Sequence, residues 1–139
     1  MTAMKKCLFI ILIILSVFAC KKKTEFSPEG PTDVRIRNLS DVTWQEVTVD
    51  IDTVVHYGTI AAGGTSDYMR FPKAYPKATI TAKIIIGGSP VTFSTGVADY
   101  TYMQYLGQDK VTYEVYISNM NKNELAIHNV IHEEPLVLK

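Results

Sequence analysis

Lys77-Ala78-Thr79-Ile80-Thr81-Ala82-Lys83-Ile84-Ile85-Ile86 is the stretch that decides the fold. Its even positions are Ala, Ile, Ala, Ile and Ile; its odd positions are Lys, Thr, Thr, Lys and Ile. Successive side chains of a strand point to opposite faces, so a period of two is that of a strand with one face in a core. The same alternation recurs as Val111, Tyr113, Val115 and Ile117 against Thr112, Glu114, Tyr116 and Ser118. It recurs again as Val47, Val49 and Ile51 against Thr48, Asp50 and Asp52. Shorter runs at 34–36, 68–71, 91–95, 100–106 and 125–131 bring the expectation to about eight strands, with no helical spacing in this region.

Between these runs stand Gly63-Gly64, Gly87-Gly88 and Asn119-Met120-Asn121-Lys122-Asn123. Glycine supplies positive φ without steric cost and asparagine tolerates it, so each is expected to be a hairpin connection. Short strands with polar outer faces at close spacing predict an all-β domain: an antiparallel β-sandwich of seven or eight strands, immunoglobulin-like or transthyretin-like. A small closed barrel would keep the same residues inside.

Upstream the chain is of another kind. Lys5 and Lys6 precede Cys7-Leu8-Phe9-Ile10-Ile11-Leu12-Ile13-Ile14-Leu15-Ser16-Val17-Phe18-Ala19, an apolar run short of the roughly 20 residues that cross a bilayer. A basic start, a compact apolar centre and a small residue before a break are the marks of a removable export signal. Val17-Phe18-Ala19-Cys20 resembles the lipobox of bacterial lipoproteins, with Val17 and bulky Phe18 as departures from the commoner residues. The resemblance implies cleavage before Cys20 and acylation of its thiol and new amino terminus. Cys7 then leaves with the signal and Cys20 becomes a thioether, so the mature chain forms no disulfide. The expected organisation is a signal peptide at 1–19, a lipidated cysteine and flexible tether at 20–32, and a β-sandwich at 33–139. The tether reads Lys21-Lys22-Lys23-Thr24-Glu25-Phe26-Ser27-Pro28-Glu29-Gly30-Pro31-Thr32, too poor in apolar residues to offset its ordering entropy.

The order DVRIRNLSDVTWQEVTVD (33–50), HYGTIAAGGTSDYMRFPKAYPKATITAKI (56–84), a tyrosine-rich run and a polar hairpin resembles small uncharacterised lipoproteins of Bacteroidetes-type bacteria. That resemblance implies a β-domain on a lipid tether in the cell envelope, and no activity or site residues. Surface-exported members tend to carry acidic residues after the cysteine. Lys21-Lys22-Lys23 stands there instead, which favours an outer-membrane anchor with the domain facing the periplasm.

Composition limits the partners. Removing residues 1–19 from the 139 leaves 120 and takes away Lys5 and Lys6, moving the formal charge from 0 to −2. A near-neutral chain has no electrostatic footprint for nucleic acid. His128 and His132 have the His-x-x-x-His spacing that holds zinc on a helix, but in a strand they stand about 13 Å apart. No metal site or cofactor is expected from them, with or without His56. Serines 40, 66, 89, 94 and 118 lack a nucleophile turn, and Asp50 with Asp52 is a carboxylate pair only in the sense of sharing a strand face. No catalytic residue is assigned.

The aromatic residues point to binding. Tyr100, Tyr102 and Tyr105 cannot all turn inward from one strand, and Trp44 is out of phase with Val47, requiring either a bulge near Gln45-Glu46 or an exposed ring. Trp44, Tyr100, Tyr102 and Tyr105 are therefore the candidate binding face, for a protein or a glycan partner. The expected protein is anchored to the membrane through its N-terminal lipid and acts by binding or structural association. The competing classes are an envelope hydrolase or metal-dependent enzyme, which needs polar groups converging in a deep pocket, and a small inhibitor or immunity lipoprotein, which needs a protruding loop.

Overall fold

Eight strands follow one another, with no helix among the described residues, 28–135 of this computed structural model. They are β1 (Thr32–Asn38), β2 (Trp44–Asp50), β3 (Val54–Ile60), β4 (Met69–Phe71), β5 (Thr79–Ile86), β6 (Ser89–Ser94), β7 (Asp109–Asn119) and β8 (Glu124–Pro135). The expected alternation at 78–84 holds on β5, where Ala78, Ile80, Ala82 and Ile84 are buried and the residues between them are more open. Its apolar face ends there, because Ile86 reaches the hairpin and is 42% exposed. The expected signal peptide, Cys20 and the lysine run lie outside the described residues. The packed chain begins before the expected boundary at 33. Gly30 is buried so closely against Pro72 that a Cβ would fall 2.1 Å from the Pro72 carbonyl oxygen, and Thr32 is fully buried in β1.

The count of eight is right, but one expected member is absent and one observed strand was not expected. Residues 100–106 form no strand, and β3 arises from a segment without a marked alternation. The strands make one mixed sheet in the order β3-β2-β5-β6-β8-β7-β1-β4. Neighbours are antiparallel except β1 with β7 and β6 with β8, so the all-antiparallel expectation is corrected. Gly87-Gly88 is the expected hairpin: both residues have positive φ, 58° and 83°, and Ile86 pairs with Ser89 across a two-residue turn. The 119–123 segment is the other, with Asn119 opposite Glu124. Gly63-Gly64 is no hairpin. It leads the chain from β3, at one end of the strand order, to the other end, where Ser66 N–H donates to Ile36 O and Asn38 N–H donates to Gly64 O beside β1.

The two ends of the sheet meet through side chains, giving a nearly barrel-like shape. Tyr57 on β3 donates its hydroxyl to Val34 O on β1 at 2.7 Å. Asn38, fully buried at the end of β1, donates its amide to Val42 O at 2.8 Å, Ala61 O at 3.2 Å and Ile60 O at 3.4 Å. Its own carbonyl accepts from Ser40 N and Ser40 Oγ. Buried polar groups are costly when unpaired, so this saturation is what permits an amide in the core wall. On the outer face Arg70 grips Asp33 through two bonds of 2.7 and 3.0 Å, tying β4 to β1. Arg35 donates to Thr112 and Glu133 across β1, β7 and β8, and Thr112 also donates to Glu133. Those bonds, Thr112 first and then Arg35, hold the Glu133 carboxyl below its usual range.

The interior is filled by Trp44, Val47, Val49, Ile80, Ile84, Phe71, Phe93, Val34, Ile36 and Tyr113. Tyr57 and Tyr113 are pushed far above the ordinary phenol range, in both cases chiefly by desolvation. A group kept neutral in the fold but free to ionise in the unfolded chain leaves stability intact below its unfolded pKa and lowers it above. Urea unfolding should therefore lose about 1.4 kcal/mol per pH unit for each of the two tyrosines above pH ~10. Tyr57→Phe should remove about half of that slope; an unchanged slope would show that Tyr57 ionises freely in the fold.

Candidate functional site

Trp44 does not belong to a surface. It is fully buried, and Glu46 explains how: β2 carries one extra residue relative to both neighbours, with Trp44 opposite Ile60 and Val47 opposite Gly58 on β3. Glu46 takes φ 47° in that bulge, the phase of the strand shifts by one, and Trp44 turns to the same side as Val47. The Glu46 carboxylate is ion-paired with Lys83 on β5. The Trp44 indole N–H has no hydrogen-bond partner among the described residues.

The tyrosines lie together at one end of the domain, in loops instead of on a strand. Tyr75, which the sequence reading passed over, is nearly buried and forms their base. Its ring stacks on Tyr100 at 4.4 Å and 17°, and Tyr105 leans on it at 5.2 Å. Its carbonyl accepts the hydroxyl of buried Tyr113, while Tyr100 donates to Asp50 O at 3.0 Å. The loop turns because Asp99 accepts from both the N–H and the hydroxyl of Thr101, which also holds the Asp99 carboxyl below its usual range. Met103 N–H then donates to Tyr100 O, leaving Tyr102 at φ 63° with its side chain fully in solvent. Positive φ is a costly conformation for a bulky residue. Lys73 lies 5.7 Å from the centre of the Tyr105 ring and 3.3 Å from Asp52. Asp52 sits in the β2–β3 turn at φ 56°, so it does not share a strand face with Asp50.

A second feature lies where β6 and β8 part. They are joined by one residue pair, Ser94 with Glu124, supported by Ser94 N–H donating to Asn123 O. Beyond it the chain leaving β6 swings to β5. The Thr95 hydroxyl accepts from Ile80 N–H and donates to Ala78 O, and Ala98 N–H donates to Thr79 Oγ1. On the other side β8 carries an extra residue at His128, since Glu114 pairs with Asn129 and Val115 with Ile127. Bulged strands bend and twist away from their neighbours. Between the 95–99 wall and the 125–130 edge opens a cleft of about 640 Å³ with Ala78 also on its wall. Among the described residues, β8 past Glu124 has no strand partner on this side.

The histidines are dispersed. His128 lines the cleft and meets the Tyr116 ring edge-on at 6.0 Å, His132 Nδ1 lies 2.5 Å from Asp109 Oδ2, and His56 borders a separate hollow of about 370 Å³. Among the described residues no group of three or more His, Cys, Asp or Glu side chains is placed to hold a metal ion. Comparison with protein-family models, curated proteins and solved structures gives no match to this chain.

The two ring environments make opposite demands on stability. Trp44→Ala should cost about 3–5 kcal/mol in urea unfolding, the range for large aromatic truncations in a core. Tyr102→Ala should stay within about 0.5 kcal/mol, and Tyr102→Gly, which relieves the left-handed strain, should cost no more. Equal losses at both positions would show that Tyr102 is part of the packed interior.

Proposed function

We propose that this chain is a lipid-anchored lipoprotein of the cell envelope whose β-domain works, without catalysis, by holding an extended segment of a partner protein. The anchor is Cys20 in the outer membrane and the domain faces the periplasm. The supports for this part are the sequence Val17-Phe18-Ala19-Cys20 and the run Lys21-Lys22-Lys23 that follows it.

One observation carries the binding reading: the cleft along the unpartnered edge of β8. Up to the bulge at His128 the edge presents N–H and C=O groups at strand spacing, and the ligand that matches them is another short extended backbone; beyond it Val130 N–H already donates to Asn129 Oδ1. The volume is also within the usual range of ligand clefts. A protein segment fits this lining better than a glycan, whose hydroxyls have no strand spacing to match. Catalysis is disfavoured by the cleft's own charged groups. Asp99 is occupied with Thr101, and Lys77 and His128 come from separate walls.

The finer fold reading is a sandwich in which β3-β2-β5-β6 faces β4-β1-β7-β8. The single-pair join between β6 and β8 supports it. An immunoglobulin arrangement keeps its first two strands in one sheet; here β1 and β2 fall in different halves, which favours the transthyretin-like form.

The test is hydrogen exchange, amide by amide, on the full chain in detergent, with and without a peptide selected against it from a display library. New protection should fall on residues 125–130. Protection elsewhere, or a library without binders, contradicts the reading. Cys20→Ser should release the chain from the membrane fraction, and retention there would contradict the anchor.

A further inference from the structure

The tether enters the domain at the tyrosine end. Pro28 lies against Gly107, where a Cβ would come 3.4 Å from the Pro28 carbonyl oxygen. Thr32 donates its hydroxyl to Gly107 O, and Gly30 packs on Pro72 next to Lys73. Glu29 is near enough to Tyr105 to be the main cause of its raised pKa. The point where the chain leaves for Cys20 is therefore beside Tyr105 and Lys73, at the base of the loop that carries Tyr102.

Resting on the lipid-anchor reading, we propose that this end of the domain docks on the membrane that holds the lipid, with Tyr102 and Tyr105 in the headgroup layer and Lys73 beside them. Reach favours the tyrosine end. From Cys20 to Pro28 the chain makes eight steps, spanning at most about 29 Å when fully extended. β7 starts beside Gly107 and runs from Asp109 to Asn119, about 33 Å at 3.3 Å per residue. With the β7–β8 hairpin on the membrane, Pro28 would stand about 33 Å from the surface if the strands were upright and about 25 Å at a barrel-like tilt of about 40°, so the tether would have to run at or near full extension. With the tyrosine end down, no stretching is needed.

The side chains suit the occupant. Tyrosine joins an apolar ring to a polar tip and favours the boundary between hydrocarbon and water. Tyr102 is held fully outward by a loop fixed at Asp99, Tyr100 and Leu106, whose N–H donates to Ala74 O, so presenting it costs little further ordering. Charge does not drive the contact: Asp52 is paired with Lys73, while Asp99, held ionised by Thr101, and Glu29 beside Tyr105 are acidic, so docking is carried by the tyrosine rings and the lipid. The cleft begins at Pro76, Lys77 and Asp99, next to the tyrosine loops, and continues along residues 125–130 of β8.

Trp44 is the chain's one tryptophan and is buried, so an introduced tryptophan at the surface can be read above a constant background. The full, lipidated chain is placed in vesicles of phosphatidylethanolamine and phosphatidylglycerol containing a nitroxide-headgroup lipid. Tyr102→Trp is compared with Met120→Trp in the far hairpin, after flotation to isolate bound protein. Quenching of Tyr102→Trp should exceed that of Met120→Trp by about twofold or more, while native Trp44 emission in the unsubstituted chain reports an intact fold. If the chain floats and the two variants are quenched equally, the anchor stands and docking is overturned, leaving the tyrosine end to a protein or glycan. If the chain does not float, the anchor reading fails and docking fails with it.

Discussion

The side-chain amide of Asn38 closes the domain. Its two N–H groups serve three carbonyls, at the end of β3 and in the loop before β2, and its oxygen receives Ser40. β1 and β3 are far apart in the strand order, so a backbone ladder does not join them. Asn38, with the Tyr57 hydroxyl on Val34 O, does that work instead. Fully paired, the amide fixes one arrangement of the strands; its removal would take away the bonds to Val42 O, Ile60 O, Ala61 O and Ser40 together, although Val42 O keeps the Ser40 hydroxyl and Ala61 O keeps Gly64 N–H as donors.

Closure on that side leaves the strain of curvature to the other. β6 and β8 touch at Ser94 and Glu124 and then separate, β6 continuing as a segment tied to β5 by the Thr95 hydroxyl and β8 bent by the bulge at His128. The bulge at Glu46 follows the same principle with a different result, since it turns Trp44 into the core. One inserted residue repacks an interior ring; another opens a sheet edge. The domain thus has one seam fastened by buried polar groups and one that offers backbone to solvent, and the functional proposal follows from that asymmetry.

How much of this was legible depends on whether the determining contact is local. Alternation in 78–84 and 111–115 was visible because one face of each strand is fully buried, and Gly87-Gly88 because a two-residue turn with positive φ at both positions leaves its mark in composition. β3 was missed because it lies at the end of the strand order: Val54 is 54% exposed, His56 and Gly58 are open, and burial returns only at Ile60. Residues 100–106 misled in the opposite direction, since their aromatic spacing resembles a strand while Asp99 and the positive φ at Tyr102 make a turn. Tyr75 stands just before Pro76 in a loop, where no periodicity marks a core residue. Pairing order, the parallel pairs and the cleft depend on contacts between distant segments, which a single sequence does not encode by pattern. Of the four proposed binding residues, the three tyrosines share one end of the domain and Trp44 is interior.

The measurement that tests this account most directly is equilibrium urea unfolding of Asn38→Ala, followed by the emission of buried Trp44, which sits opposite Ile60 beside the fastened seam. If the amide closes the sheet, the variant should lose about 2–4 kcal/mol, more than one ordinary hydrogen bond, because the bonds that tie the end of β3, the loop before β2 and Ser40 to one side chain are lost together. A loss within about 0.5 kcal/mol, the range of ordinary surface substitutions, would mean that the strands hold their arrangement without it.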